Sequence, residues 1–178
     1  MWNEIAIVEK KGIKIKNPVI VEGLPDVGLV GAIAASHLVI QRELDQIGYI
    51  ESGLFPPAMV IHKGELQHPV RIYGDENLIV LVSEIPIPVD AIYPLAESLT
   101  EWSHEKNPEM IISLNGLPVP NRMDIDEPSV FGVGNNEEAK KKLEEKNIEF
   151  LEEGFISGIY ALVLRECSKK GCLLYTSD

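Results

Sequence analysis

The chain has 178 residues, 45% of them hydrophobic, enough for a single α/β domain (residues 1–178) with a full core. With 28 acidic residues against 16 basic ones the formal charge is −12, which excludes nucleic acid as the main partner and disfavours an anionic membrane surface. No apolar run is long enough to span a bilayer, Met1-Trp2-Asn3-Glu4 has no signal-peptide layout, and two cysteines, Cys167 and Cys172, build no disulfide framework, so a cytoplasmic setting is expected.

Alternating apolar and polar side chains predict half-buried strands over Glu4–Glu9 and Ile13–Ile15, joined as a hairpin at Gly12. Pro18–Val21 reads as a buried strand, and it runs into the turn Gly23-Leu24-Pro25-Asp26-Val27-Gly28-Leu29-Val30-Gly31. Gly23 and Gly28 have the spacing of half a phosphate loop. Leu29 and Val30, however, stand where Lys and Ser/Thr would reach phosphate and magnesium. The dinucleotide pattern fails too, because Asp26 occupies the position of its first glycine. A carboxylate there repels phosphate and suits a helix N-terminus as a cap. Gly23, Gly28 and Gly31 are therefore read as a structural turn, with Gly28 and Gly31 letting a helix lie close to the sheet. That helix is expected from Val27 to Glu43, with Val27, Val30, Ala34 and Leu38 on its inner face.

Ile47–Ile50 follows as a strand. Met59–His62 and Val70–Tyr73 read as a second hairpin around Gly64, and Leu78–Val82 as a central strand covered on both faces. Beyond Pro86 and Pro88, Asp90 is expected to cap a helix reaching Glu105, with Pro94 in its first turn. Met110–Leu114 is a further buried strand ending at Asn115-Gly116. The segment Leu117–Pro128, rich in proline and acid, reads as an exposed loop. Val130–Val133 and Ile148–Leu151 are strands flanking a charged helix over Glu137–Lys146. A last helix, Phe155–Lys169, stops at Gly171, and an apolar strand starts at Cys172. Buried strands alternating with helices predict an α/β fold, with a mixed, mainly parallel sheet and helices on both faces.

The search for chemistry yields little. His37, His62, His68 and His104 form no zinc motif, and no G-x-S-x-G elbow exists. Ser36 and His37 are helical neighbours that do not face each other. Glu22, Glu84 and Asn115 each close a predicted central strand, where open α/β sheets bind ligands. With Asp26 they form a candidate pocket, if the strands are parallel neighbours. The competing reading is that they cap loops and helices.

The Gly23–Gly31 segment resembles a signature of the archaeal proteasome assembly chaperone (PAC) family. The likeness continues in family order through Leu54-Phe55-Pro56-Pro57, Pro69-Val70-Arg71-Ile72-Tyr73, Glu84-Ile85-Pro86-Ile87, Leu114-Asn115-Gly116-Leu117-Pro118 and Gly154-Phe155-Ile156-Ser157-Gly158. The resemblance implies a three-layer α/β/α domain similar to purine nucleoside phosphorylases, with no catalytic residues and no cofactor or metal. It also implies proteasome α subunits or assembly intermediates as partners, and self-association into a homo-oligomer. Some archaeal relatives carry the label ATP-grasp superfamily, yet this chain lacks a basic, glycine-rich nucleotide grip. Proteasome-binding members often end in a hydrophobic residue, a tyrosine and one more residue. Here Leu174-Tyr175-Thr176 is followed by Ser177 and Asp178. A truncated member is expected, with residues 172–178 non-native and apolar surface left uncovered. The alternative is a nucleoside-type ligand binder or enzyme that uses the strand-end carboxylates.

Overall fold

The computed structural model describes residues 4–10, 12, 14–118, 126–127, 129–170 and 174–177. Its main sheet has nine strands: β1 (Ile5–Glu9), β2 (Val19–Gly23), β3 (Asp45–Ser52), β6 (Val70–Gly74), β7 (Leu78–Ser83), β8 (Met110–Leu114), β9 (Phe131–Gly134), β10 (Glu149–Phe150) and β11 (Leu174–Ser177). Their spatial order is β1-β3-β6-β7-β2-β8-β11-β9-β10. Two short strands, β4 (Val60–His62) and β5 (Glu65–Gln67), form a separate hairpin.

The apolar runs Val19–Val21, Leu78–Val82 and Met110–Leu114 occupy the centre as parallel neighbours, β2 between β7 and β8. The β1, β3, β6 and β7 strands pair antiparallel along one flank. On the other flank β11 runs parallel to β8 and antiparallel to β9. The sheet is thus mixed, parallel at its core and largely antiparallel outside it, rather than mainly parallel. Tight turns such as the one between Gly74 and Leu78 permit only antiparallel neighbours.

Among the described residues, four α-helices accompany the sheet: α1 (Val30–Gln41), α2 (Val89–Glu105), α3 (Glu137–Glu145) and α4 (Gly158–Lys170). Strand alternation divides the core. Ile20, Leu24, Ile79, Leu81 and Ile111 join Leu95 and Leu99 of α2 and Tyr160 and Val163 of α4. Val21, Val80 and Val82 join Ala35 of α1 in a second cluster. A third, smaller cluster centres on Ala139 and Leu143 of α3, whose N-terminus is capped by the Asn136 side chain accepting from the Ala139 N–H at 2.8 Å.

Several sequence expectations are corrected. β1 pairs with β3, and Lys14–Lys16 carries no strand; Ile13 lies outside the described residues. Around Gly64 the partner of β4 is β5, whereas Val70–Gly74 pairs with β3 and β7 in the main sheet, where its alternate residues Val70 and Ile72 are fully buried in the core. The first helix begins at Val30 after a single 3-10 turn, Val27–Leu29. Its buried positions are Gly31 and Ala35, while Val27, Val30 and Ala34 are exposed. Pro88, not Asp90, stands at the N-cap of α2, and Pro94 falls in the second turn. There its missing N–H leaves the Asp90 carbonyl without the usual helical donor. The last helix starts at Gly158, a residue at φ +67°. Most of the Leu117–Pro128 loop, together with Gly171, Cys172 and Asp178, lies outside the described residues. The apolar strand expected after Gly171 is present as β11 over Leu174–Ser177, with Tyr175 opposite Ile112 of β8 and Gly134 of β9.

Candidate functional site

The carboxyl ends of β2 and β8 carry a buried polar cluster. Glu22 sits inside β2, opposite Leu81 of β7 and Ser113 of β8. The alternation that sends Ile20 and Leu24 into the α2/α4 core sends the Glu22 side chain there too, and only 1% of the residue is exposed. Its Oε2 accepts a hydrogen bond from the Ser113 hydroxyl at 2.7 Å. Burial disfavours the charged form and pushes the carboxyl up to about 7, although the Ser113 donor works in the opposite direction. This carboxyl therefore keeps its proton well above the ordinary carboxylate range.

Tyr160 of α4 reaches the same place. Its hydroxyl accepts from the Leu24 N–H at 2.8 Å and donates to the Leu24 carbonyl at 2.7 Å. One phenol thus satisfies both backbone groups of the residue that leads out of β2. Burial, and then the carboxylates of Glu22 and Asp26, hold the phenol well above its ordinary range. Tyr160→Phe should strand two buried backbone groups and cost about 1–3 kcal/mol, read as a lower urea midpoint with unchanged slope.

Next along the chain comes the glycine turn. Gly28 adopts φ +68° and Leu29 φ +58°. Asp26 precedes the 3-10 turn but its side chain makes no capping hydrogen bond; the Asp26 backbone carbonyl instead accepts from the Leu29 N–H at 3.0 Å. A Cβ on Gly31 would sit 2.0 Å from the Leu114 carbonyl oxygen, and one on Gly116 would sit 2.1 Å from that of Val27. Gly23 is equally confined, with the Ala35 Cβ 2.1 Å away. These contacts seat α1 and its leading turn directly on the ends of β2 and β8.

Of the four candidate pocket residues, Glu22 belongs to this buried cluster, and the Asp26 carboxylate acts on the Tyr160 phenol electrostatically. Asn115 lies two residues beyond Ser113, its buried Oδ1 without a hydrogen-bond partner. Glu84 goes elsewhere. It follows Ser83, one step out of alternation with Leu81, and its carboxylate pairs with Arg71 of β6. Arg71 is itself buried and stacks near the Tyr73 ring, on the α1 side of the sheet. Glu22 and Glu84 thus belong to opposite faces and do not flank a common space. Ser113 and Tyr160 carried no signal in the sequence: one interrupts an apolar strand, the other an apolar helix, and neither sits in a motif.

The cluster offers a carboxyl, a phenol, a hydroxyl and an amide, all engaged with the fold or enclosed by it. It can hold a proton and fix the seating of α4 and β8 on β2. Among the described residues, no group of three or more His, Cys, Asp or Glu side chains is placed to bind a metal, and no helix is long and apolar enough to cross a membrane.

The protein MJ0106 of Methanocaldococcus jannaschii is 34% identical over 172 residues, 96% of this chain and 69% of the relative. Among solved structures, PbaA of Pyrococcus furiosus, an archaeal homologue of proteasome-assembly chaperone, superimposes with a TM-score of 0.90 at 32% identity, over 97% of this chain and 74% of that one. PbaB of the same organism, an archaeal proteasome activator, shares the fold with a TM-score of 0.83 at 23% identity, over 98% of this chain and 79% of that one. Residues 20–177 match the PAC2 family, and the chain belongs to it.

Proposed function

We propose that the protein is a proteasome-assembly factor that binds proteasome α subunits or their assembly intermediates, in the cytoplasm, as a homo-oligomer and without catalysing a reaction. The observation that carries this reading is the match to PbaA along nearly the whole chain. A binding role also suits what the carboxylates do: Glu22 is engaged by Ser113 and Glu84 by Arg71. The three-layer α/β/α arrangement similar to purine nucleoside phosphorylases is part of the same proposal, supported by separate core clusters on alternate residues of β2.

Affinity capture with the chain from an archaeal extract, followed by mass spectrometry, should enrich proteasome α subunits over a matched acidic control protein. Recovery of α subunits no better than the control counts against the proposal. A nucleotide is not expected to bind, because Leu29 and Val30 occupy the phosphate-gripping positions and the Leu29 N–H is already used by the Asp26 carbonyl. Calorimetric titration with ATP and magnesium should give no saturable heat, whereas a micromolar isotherm would contradict a purely protein-binding role.

A further inference from the structure

Two apolar features of this fold lack cover, and each has what the other needs. The first is α1. From Val30 to Gln41 it contains no Asp, Glu, Lys or Arg. Only the side of Gly31 and Ala35 meets the sheet. Its outer side leaves Leu29, Ile33 and Ile40 at 52%, 64% and 69% exposure, beside an open groove of about 660 Å³ bounded by Pro25, Ser83, Glu84 and Pro86. A helix that is apolar all round is normally buried.

The second feature is the β4–β5 hairpin. Ile61 stands opposite Leu66, so both project from one face. Met59, two residues before Ile61, shares that face. Their exposures are 72%, 70% and 52%. A two-stranded hairpin of three residues a side is marginal in water unless its apolar face packs on something, for instance a helix.

We propose that the apolar face of the β4–β5 hairpin of one copy inserts into the α1 groove of a second copy. The inference rests on the self-association included in the proposal above, and gives it a surface. Electrostatics favours a second copy as the occupant. Like charge opposes contact between two chains of −12 over most of their surface. The hairpin carries one Lys and one Glu, Lys63 and Glu65, and α1 carries no charge, so here the copies meet without repulsion. Glu84 on the groove rim is already paired with Arg71, so the rim adds no uncompensated charge to face the hairpin. A single insertion is small beside the roughly 1,200–2,000 Å² of a stable interface. Each copy both gives a hairpin and accepts one, so a reciprocal pair or a closed ring doubles the contact per copy.

Sedimentation velocity on the full chain tests this with Ile33→Asp in the groove and Leu66→Asp in the hairpin, both at exposed positions, each checked for folding by circular dichroism. The wild type should self-associate at micromolar concentration, and each variant alone should weaken that at least tenfold. An equimolar mixture keeps one intact hairpin–groove contact per mixed pair, so it should associate measurably more than either variant alone, though more weakly than the wild type. Dissociation by Ile33→Asp alone would mean helix-on-helix pairing and overturn the proposal. So would a monomeric wild type at 100 µM, oligomers that resist both substitutions, or no recovery on mixing. None of these outcomes depends on proteasome binding, so failure here leaves the assembly reading intact.

Discussion

Gly31→Val is expected to be the most damaging single substitution in this protein, costing about 3 kcal/mol or more. The Cβ alone would lie 2.0 Å from the Leu114 carbonyl oxygen and 2.8 Å from its carbon. Both are backbone atoms of a sheet strand, so no side chain can rotate out of the way. Relief requires lifting α1 off β8, which uncovers Val21, Val80 and Val82. Gly28 makes a useful contrast. Its constraint is a φ of +68°, with the nearest atom an ordinary 3.6 Å away. Gly28→Ala should therefore cost only about 1–2 kcal/mol, and Gly28→Asn less, because Asn tolerates the left-handed region. Thermal melts of the three variants should rank in that order. A Gly31→Val protein that melts with the wild type would show that α1 is not seated on β8 as described.

Glu22→Gln should stabilise the protein above neutral pH. The native state holds the Glu22 proton up to about pH 7, against an ordinary value of 4.5. The native chain thus binds this proton more tightly than the unfolded chain does. Its contribution is fully present below about 4.5 and lost as pH rises through 7. The loss comes to about 3 kcal/mol, because displacing a titration by one pH unit corresponds to about 1.4 kcal/mol. Gln cannot ionise, and its carbonyl oxygen can still accept from Ser113. Urea unfolding at pH 5 and pH 8 should show wild-type stability falling relative to the variant by roughly that amount. The other carboxylates titrate in both proteins, so the difference isolates Glu22. Parallel pH curves for the two would mean that the carboxyl is ionised, or solvated, in the folded state.

The parts of the fold that were legible in the sequence are those with a run or a stop that admits one meaning. Val19–Val21, Leu78–Val82 and Met110–Leu114 are too apolar for an edge, and they lie together at the centre of the sheet. The glycine turn was legible only in part: Gly31 is pressed on Leu114, whereas Gly28 makes no close approach and is constrained by its positive φ, which its sequence neighbours do not announce. The inner face of α1 was not legible. On a helix without charges, periodicity does not say which side faces in; the positions pressed on the strands are the small ones, Gly31 and Ala35, while large residues such as Ile33 and Ile40 face out. The partner of β4 was missed because Glu65-Leu66-Gln67 is short and mostly polar, so the stronger Val70–Tyr73 signal drew the pairing. Glu22 looked like the polar end of a strand, yet it lies within β2 in full burial. What makes that tolerable is Ser113, 91 positions away, and no local pattern reports a contact of that range.

The role proposed for this PAC2 protein is to bind proteasome components. Titrating the purified full chain with purified archaeal proteasome α subunits, followed by sedimentation velocity and native mass spectrometry, addresses it without the ambiguity of an extract. A complex of defined stoichiometry is expected, forming at micromolar concentration and weakening as salt screens the contribution of the acidic surface. Absence of any complex at 100 µM, with a folded chain and assembly-competent α subunits, would contradict the claim.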